Sequence, residues 1–260
     1  MKKLNVILAL MLSVIMVLAF AGCGKKTDKL IVATNAEFEP FESLDKDGNC
    51  VGFDIDLINA IAKKLNVEVQ FDNMEFDGVV AAVNQGTCDV AISGLTINEK
   101  RKQSVDFSNA YYSGVAQVLI VAANDTTYTG TTKEELDAQL KNKTIGVCTG
   151  FTGEAYAKGD ADWGFSGIEG ANVKIYENIS LAIKDLENGT ISAIIMDDSP
   201  AKNAANGNSG VKVIDVPLTV EEYGIAVQKG NSDLLEKINN ALAELKKDGT
   251  LAELLAKYEL

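Results

Sequence analysis

What most constrains this chain is an alternation of short apolar strands with amphipathic helices that starts, breaks off, restarts and finally resumes. The first run predicts strands at 30–34 and 51–53. A helix follows from Asp54, with Ile55, Leu57, Ile58, Ile61, Ala62 and Leu65 at helical spacing and Asp54 as its N-cap. Then come a strand at 67–71, a helix at 76–84, a strand at 89–93 ending in the Gly94 turn, and a polar helical stretch from Glu99. Strands alternating with helices predict parallel sheet and an α/β fold. The long apolar strand at 115–123 can leave the first sheet and enter a second. There the alternation restarts, with helices near 133–140, from Gly153, at 179–188 and from Pro200. Its strands are expected at 144–147, 173–176 and 193–196. After 215–217, a strand at 223–227, an amphipathic helix at 234–247 with Gly249 beyond its end, and a last helix at 251–258 complete the pattern. The second block is therefore inserted into the first. Two lobes are expected, 30–114 with 222–260 and 115–221, joined by two crossings with a ligand cleft between them.

Lys2 and Lys3 precede an apolar run over 4–21, which ends in Leu18-Ala19-Phe20-Ala21-Gly22-Cys23. This is a charged region followed by a hydrophobic one, the pattern of an export leader. Small residues before a cysteine resemble a bacterial lipobox, with Phe20 where leucine is usual. Residues 1–22 are then a signal peptide, Cys23 the lipidated residue and 23–29 a polar tether. Loss of Lys2 and Lys3 with the leader takes the net charge from −13 to −15. An uncleaved membrane anchor is the alternative, since about 18 apolar residues can span a bilayer. Either way the rest of the chain lies on the extracytoplasmic face of the cell membrane.

The acidic charge argues against nucleic acid, which needs a basic face. The chain has no histidine, so it lacks the commonest general base and zinc ligand. Cys50, Cys88 and Cys148 are widely spaced, outside any CxxC pattern, and read as small buried hydrophobes. No metal and no cofactor is expected.

Two stretches carry the candidate chemistry. Residues 93–101, SGLTINEKR, offer hydroxyls, backbone amides after Gly94 and a guanidinium. Residues 196–201, MDDSPA, offer carboxylates. A free amino acid carries a carboxylate and an ammonium on one carbon, so a cleft with Arg101 on one wall and Asp198 on the other would grip both. Neither stretch has a nucleophile with a base beside it, which points to capture rather than reaction. Taken singly, Phe38 and Phe76 read as core, Arg101 as a surface charge, Asp197 and Asp198 as helix-cap acids, and Glu37, Glu39 and Glu42 as a solvated face.

Six stretches shift most of those readings together: 33–42 (ATNAEFEPFE), 51–57 (VGFDIDL), 74–83 (MEFDGVVAAV), 93–101, 105–112 (VDFSNAYY) and 223–230 (YGIAVQKG). In this order and spacing the chain after Cys23 resembles a family 3 solute-binding protein, the amino-acid-binding lipoprotein of a polar-amino-acid ABC importer. The resemblance implies a two-lobed periplasmic-binding-protein fold and hinge closure over a free L-amino acid. It also implies a permease partner and a monomer. It places Asn35, Phe38 and Phe76 around the ligand side chain. Ser93, Gly94, Leu95, Thr96, Arg101 and Thr152 fall at the carboxylate and Asp198 at the ammonium. A guanidinium can fork onto that carboxylate with two parallel bonds. Asn35 stands where the family often has aspartate, which favours a neutral polar, glutamine-like ligand. Glu37, Asp77 and Asp197 could supply negative charge for arginine or lysine instead. A dehydratase on the same scaffold, using Glu37 or Asp197, and a sensor or adhesin are the remaining alternatives.

Overall fold

The computed structural model describes residues 29–260, so the leader and the lipidation expected at Cys23 lie outside the described residues. The first sheet has the order Glu68–Asn73, Lys29–Thr34, Val90–Ala91, Ala226–Gln228, Val105–Phe107. Its first three strands run parallel. Ala226–Gln228 enters antiparallel to both of its neighbours, so the sheet is mixed rather than parallel throughout. Leu30, Val32, Ala33 and Thr34 are all buried, as expected of a strand covered on both faces.

The helical spacing after Asp54 is realised as Phe53–Leu65, which buries Phe53, Ile55, Leu57, Ile58, Ile61 and Ala62. Its cap is Gly52 rather than Asp54. A Cβ at Gly52 would lie 2.2 Å from the Phe41 carbonyl oxygen, at a φ of +129°, so only glycine fits there. Asp54 is thereby moved into the first turn, fully buried. The helix packs on Ser232–Lys247, which follows the chain's return.

The second sheet runs Asn172–Tyr176, Thr144–Cys148, Ala193–Asp197, Gln117–Ala122, Val211–Ile214, drawn wholly from one continuous stretch. Gln117–Ala122 is antiparallel to both neighbours. Leu119, Val121, Leu136, Leu140, Ile145, Val147 and Ile195 form part of the core on one of its faces.

The two crossings pair with each other. Tyr112–Val115 and Glu221–Tyr223 form an antiparallel ribbon with a register shift between Glu221 and Glu222. The single strands read at 115–123 and 223–227 each divide here, because the chain must bend to change sheets. The second break falls at Gly224, where a Cβ would meet Ile97 at 2.8 Å. A small sheet of Glu37–Phe38, Glu42–Leu44 and Cys50–Val51 has strands too short for periodicity to reveal. The helix read from Pro200 begins at Asp198, with Asp197 as its cap. Proline is tolerated in that first turn because its missing N–H has no intrahelical partner.

Candidate functional site

Arg101 sits in the short helix Glu99–Lys102, whose cap, Asn98, accepts the Arg101 amide at 2.8 Å. That cap turns the side chain inward, where it is only 8% exposed. Its Nη1 donates to the Thr96 carbonyl at 2.9 Å and its Nη2 to the Gly150 carbonyl at 3.2 Å, across the cleft. Phe76 and Trp163 flank the guanidinium, their ring centroids 5.4 and 5.0 Å from Cζ. No carboxylate among the described residues lies within 4.0 Å of it. Burial pulls its pKa down to about 10, while the fields of Glu221 and Asp197 oppose that fall. This is a desolvated cation held by carbonyls and rings, with its ion-pairing capacity unspent.

Facing it is an acidic cluster. Glu221, at the hinge ribbon, accepts the Thr96 hydroxyl at 2.7 Å and the Thr152 hydroxyl at 2.8 Å through one oxygen. Its other oxygen takes Thr219 at 2.5 Å and Gln117 at 3.2 Å. Thr152 opens the helix Thr152–Lys158, and its oxygen is 3.3 Å from that of Thr96. Thr96 and Thr152, expected at a ligand carboxylate, thus meet around a carboxylate of the chain itself. Asp197 is 3% exposed and accepts the Tyr223 hydroxyl at 2.7 Å. Burial first and the nearby Glu221 second push its pKa up to about 7, against the Tyr223 bond.

Asp198, expected opposite Arg101, makes its contacts with Ala116 and Lys202. Asp198 donates its amide to the Ala116 carbonyl at 2.9 Å. Its carboxylate lies 3.6 Å from Lys202 and 3.5 Å from the Ala116 amide. The strand Ala193–Asp197 runs one residue further than read, and successive side chains on a strand point to opposite faces. That single residue puts Asp197, rather than Asp198, beside Tyr223 and Glu221. The Ser93–Gly94 turn is hydrogen-bonded within the chain as well. Gly94 donates its amide to Asp54 at 2.8 Å, and the Ser93 hydroxyl accepts the Asn35 amide at 3.0 Å and donates to Glu42 at 2.9 Å. These groups are committed to the scaffold. The Leu95 side chain is in the core with Val79 and Val105. Gly94 has a φ of +52°, and a Cβ there would stand 2.5 Å from the Phe38 ring.

Phe38 and Phe76 each pack on Phe151, which comes from the second lobe's loop and lies between them. The Phe151 centroid is 5.3 Å from that of Phe38, edge to face, and 4.4 Å from that of Phe76. Asn35 lines a cavity of about 750 Å³ together with Glu37, Glu75, Asn178 and Met196, and no lysine or arginine among the described residues lines it. The Asn35 amide nitrogen is tied to the Met74 carbonyl at 2.9 Å. Burial, then Glu75 and Glu177, raise the Glu37 pKa. On the other side, a cavity of about 470 Å³ is lined by Arg101, Phe76, Phe151 and Trp163.

The bacterial extracellular solute-binding proteins, family 3, match residues 30–260 of this sequence. The chain belongs to that family. Among family relatives, a "Probable histidine-binding protein" of Neisseria gonorrhoeae is 37% identical over 230 residues, 87% of this chain and 81% of that protein. An L-arginine-binding protein of Pseudomonas aeruginosa is 32% identical over 267 residues, 99% and 96% of the two chains. An ancestral arginine-binding protein, solved bound to glutamine and bound to arginine, is 43% identical. It covers 88% of this chain and 97% of its own, with TM-scores of 0.76 and 0.77. The two-sheet, two-crossing architecture is therefore the solute-binding fold.

Within that family fold, sequence reasoning assigned no site role to Glu221, Tyr223 or Trp163. Trp163 is the chain's one tryptophan, which composition could have flagged. Glu221 carries no local signal, because its partners come from three separate segments.

Proposed function

We propose that this chain captures a free L-amino acid between its lobes, 30–114 with 222–260 and 115–221, and delivers it to an ABC importer permease. The carrying observation is Arg101, a buried guanidinium with no carboxylate partner among the described residues. A ligand carboxylate satisfies it with two parallel bonds. Thr96 stands beside the guanidinium through the carbonyl that Nη1 donates to, and Thr152 through its contact with Thr96; Asp197 takes the ammonium in place of Asp198. A ligand touching both lobes favours the closed arrangement because it gains its contacts only there. It is a binding protein and not an enzyme, as its relatives are named.

For the side chain, a basic amino acid is the reading supported best. Glu37 and Glu75 line the 750 Å³ cavity, Glu177 lies close enough to raise the Glu37 pKa, and no lysine or arginine among the described residues lines that cavity. The relatives named for arginine and histidine support this choice. A glutamine-like ligand is the second reading, favoured by the uncharged Asn35 and by the ancestral protein's glutamine complex. A melting screen of the twenty amino acids with ornithine, citrulline and cystine separates them. A ligand at about 100-fold its dissociation constant adds about 2.7 kcal/mol, roughly 5–10 °C for a chain of this length. Arginine, lysine or ornithine should give the largest rise. Glutamine or citrulline at the top would overturn the basic reading, and no rise with any amino acid would overturn capture itself.

The protein acts as a monomer on the extracytoplasmic face, held by lipid on Cys23. Cys23→Ser should release it from membranes or leave its leader uncleaved. Fractionation and migration identical to wild type would mean that the run over 4–21 is itself the anchor.

A further inference from the structure

Behind the Ser93–Gly94 turn lie two carboxylates that ligand capture does not use. Glu42, read from sequence as part of a solvated face, is fully buried, and so is Asp54. Glu42 comes from the small sheet strand Glu42–Leu44 and Asp54 from the first turn of Phe53–Leu65. Glu42 Oε1 accepts the Ser93 hydroxyl at 2.9 Å. Asp54 Oδ2 accepts the Gly94 amide and the Tyr111 hydroxyl, each at 2.8 Å. Ser93 Oγ in turn accepts the Asn35 amide, so the pair reaches three consecutive parts of the cleft wall.

Each carboxylate also has a second oxygen, Glu42 Oε2 and Asp54 Oδ1, that is buried and receives no hydrogen bond from the described residues. Asp54 donates its amide to the carbonyl of Phe41, the residue before Glu42, at 2.9 Å, so the two acids project from neighbouring backbone behind the turn. Ionised carboxylates only accept, so two of them side by side leave both oxygens bare and repel. One proton between them satisfies both oxygens at once. The titratable groups facing the pair are the Cys50 thiol and the Tyr111 phenol, with Tyr223 and its partner Asp197 beyond Tyr111. None of these is cationic, and no lysine or arginine among the described residues forms an ion pair with either acid. Burial, then the neighbouring Asp54, holds Glu42 well above the usual carboxylate range. Burial pushes Asp54 up to about 6 despite its hydrogen bonds.

We propose that Glu42 and Asp54 share one proton and act as positioning residues, a brace that fixes the Asn35–Ser93–Gly94 wall in its binding geometry. The role in binding rests on the amino-acid reading of the cleft; the shared proton does not. Because the folded state holds a proton that the unfolded chain gives up, the brace is complete at low pH and is lost as pH rises through the folded values.

Glu42→Gln and Asp54→Asn are the test, since each keeps the shape and gives the bare oxygen on its neighbour a permanent N–H donor. Melting of ligand-free protein is followed from pH 5 to pH 9, and L-arginine affinity is measured by calorimetry at pH 5.5 and 8.5. At pH 5 wild type and both variants should melt together. Above pH 6 both variants should melt progressively higher than wild type, a difference to which Asp197 does not contribute because all three proteins retain it. Relative to the variants, wild type should lose affinity by about tenfold or more across the range, the factor carried by one pH unit of coupling, a ratio from which the titration of Asp197, common to all three proteins, cancels. Melting differences that do not change with pH overturn the shared proton. Equal loss of affinity in wild type and variants overturns the positioning role. If L-arginine binds none of them at any pH, the ligand reading fails and the melting curves alone decide the brace. Glu42→Ala, which removes the Ser93 contact, should bind poorly at every pH; unchanged binding there also overturns positioning.

Discussion

In an Arg101→Met variant the buried cation of the cleft is exchanged for an uncharged side chain of similar length. Burial lowers the Arg101 pKa from 12.5 to about 10. At about 1.36 kcal/mol per pH unit, holding the charge there costs the fold about 3 kcal/mol. Methionine recovers that cost. It also leaves the Thr96 and Gly150 carbonyls without their donor, at about 1 kcal/mol each. The contacts with Phe76 and Trp163 lose roughly 0.5–1 kcal/mol each. The terms nearly cancel, so ligand-free stability should change by no more than about 1–2 kcal/mol. Binding is different, because the ligand carboxylate would be buried without a counter-charge. That costs roughly 3–5 kcal/mol, or about two to four decades in affinity. Urea denaturation without ligand and calorimetry with L-arginine measure the two separately. A threefold or smaller loss of affinity would remove Arg101 from the site. A fall in ligand-free stability of more than about 3 kcal/mol would make the guanidinium a structural brace, since that is the cost of breaking a buried pair.

Asp197→Asn should weaken L-arginine strongly and Asp198→Asn only slightly; the reverse order in calorimetry would restore Asp198 as the ammonium partner. The Asp197 pKa is raised from 3.8 to about 7, so its stabilisation is present at low pH and lost as pH rises between those values. The slope is about 1.36 kcal/mol per pH unit, and Asp197→Asn should flatten urea midpoints by that share between pH 4.5 and 7. Gly94→Ala should destabilise by about 1–3 kcal/mol, through strain at φ +52° and the clash with Phe38; a midpoint equal to wild type would show that the turn can relax. Trp163, packed on Arg101, should change its emission when L-arginine binds, and Trp163→Phe should abolish that signal without unfolding the protein.

The two-lobe plan was legible because each block repeats strand and helix periods long enough to count. Phe38, Phe76, Thr96 and Arg101 were singled out because they fall in six stretches in register, and Thr152 because it follows the Gly150-Phe151 turn. The misreadings sit where one residue decides direction. Asp197 and Asp198 are adjacent carboxylates, and only the point at which strand becomes helix says which one faces inward. Glu42 looks like one of three surface acids at 37, 39 and 42. Its burial follows from pairing in a three-residue strand and from Ser93, fifty-one positions away. Glu221 meets Thr96, Thr152, Thr219 and Gln117, a convergence that no local pattern encodes.

The strand order also sets a sequence of assembly. Every strand of the second sheet lies between Gln117 and Ile214, so that lobe can close as soon as this stretch is free to fold. The first sheet cannot. Ala226–Gln228 stands between Val90–Ala91 and Val105–Phe107, and the helix covering Phe53–Leu65 comes later still. The residues met first by a translating or translocating machine must therefore wait for nearly the last ones, with more than a hundred residues of inserted lobe in between. Closing such long loops slows folding. The first sheet is complete only once Ala226–Gln228 has taken its place between Val90–Ala91 and Val105–Phe107.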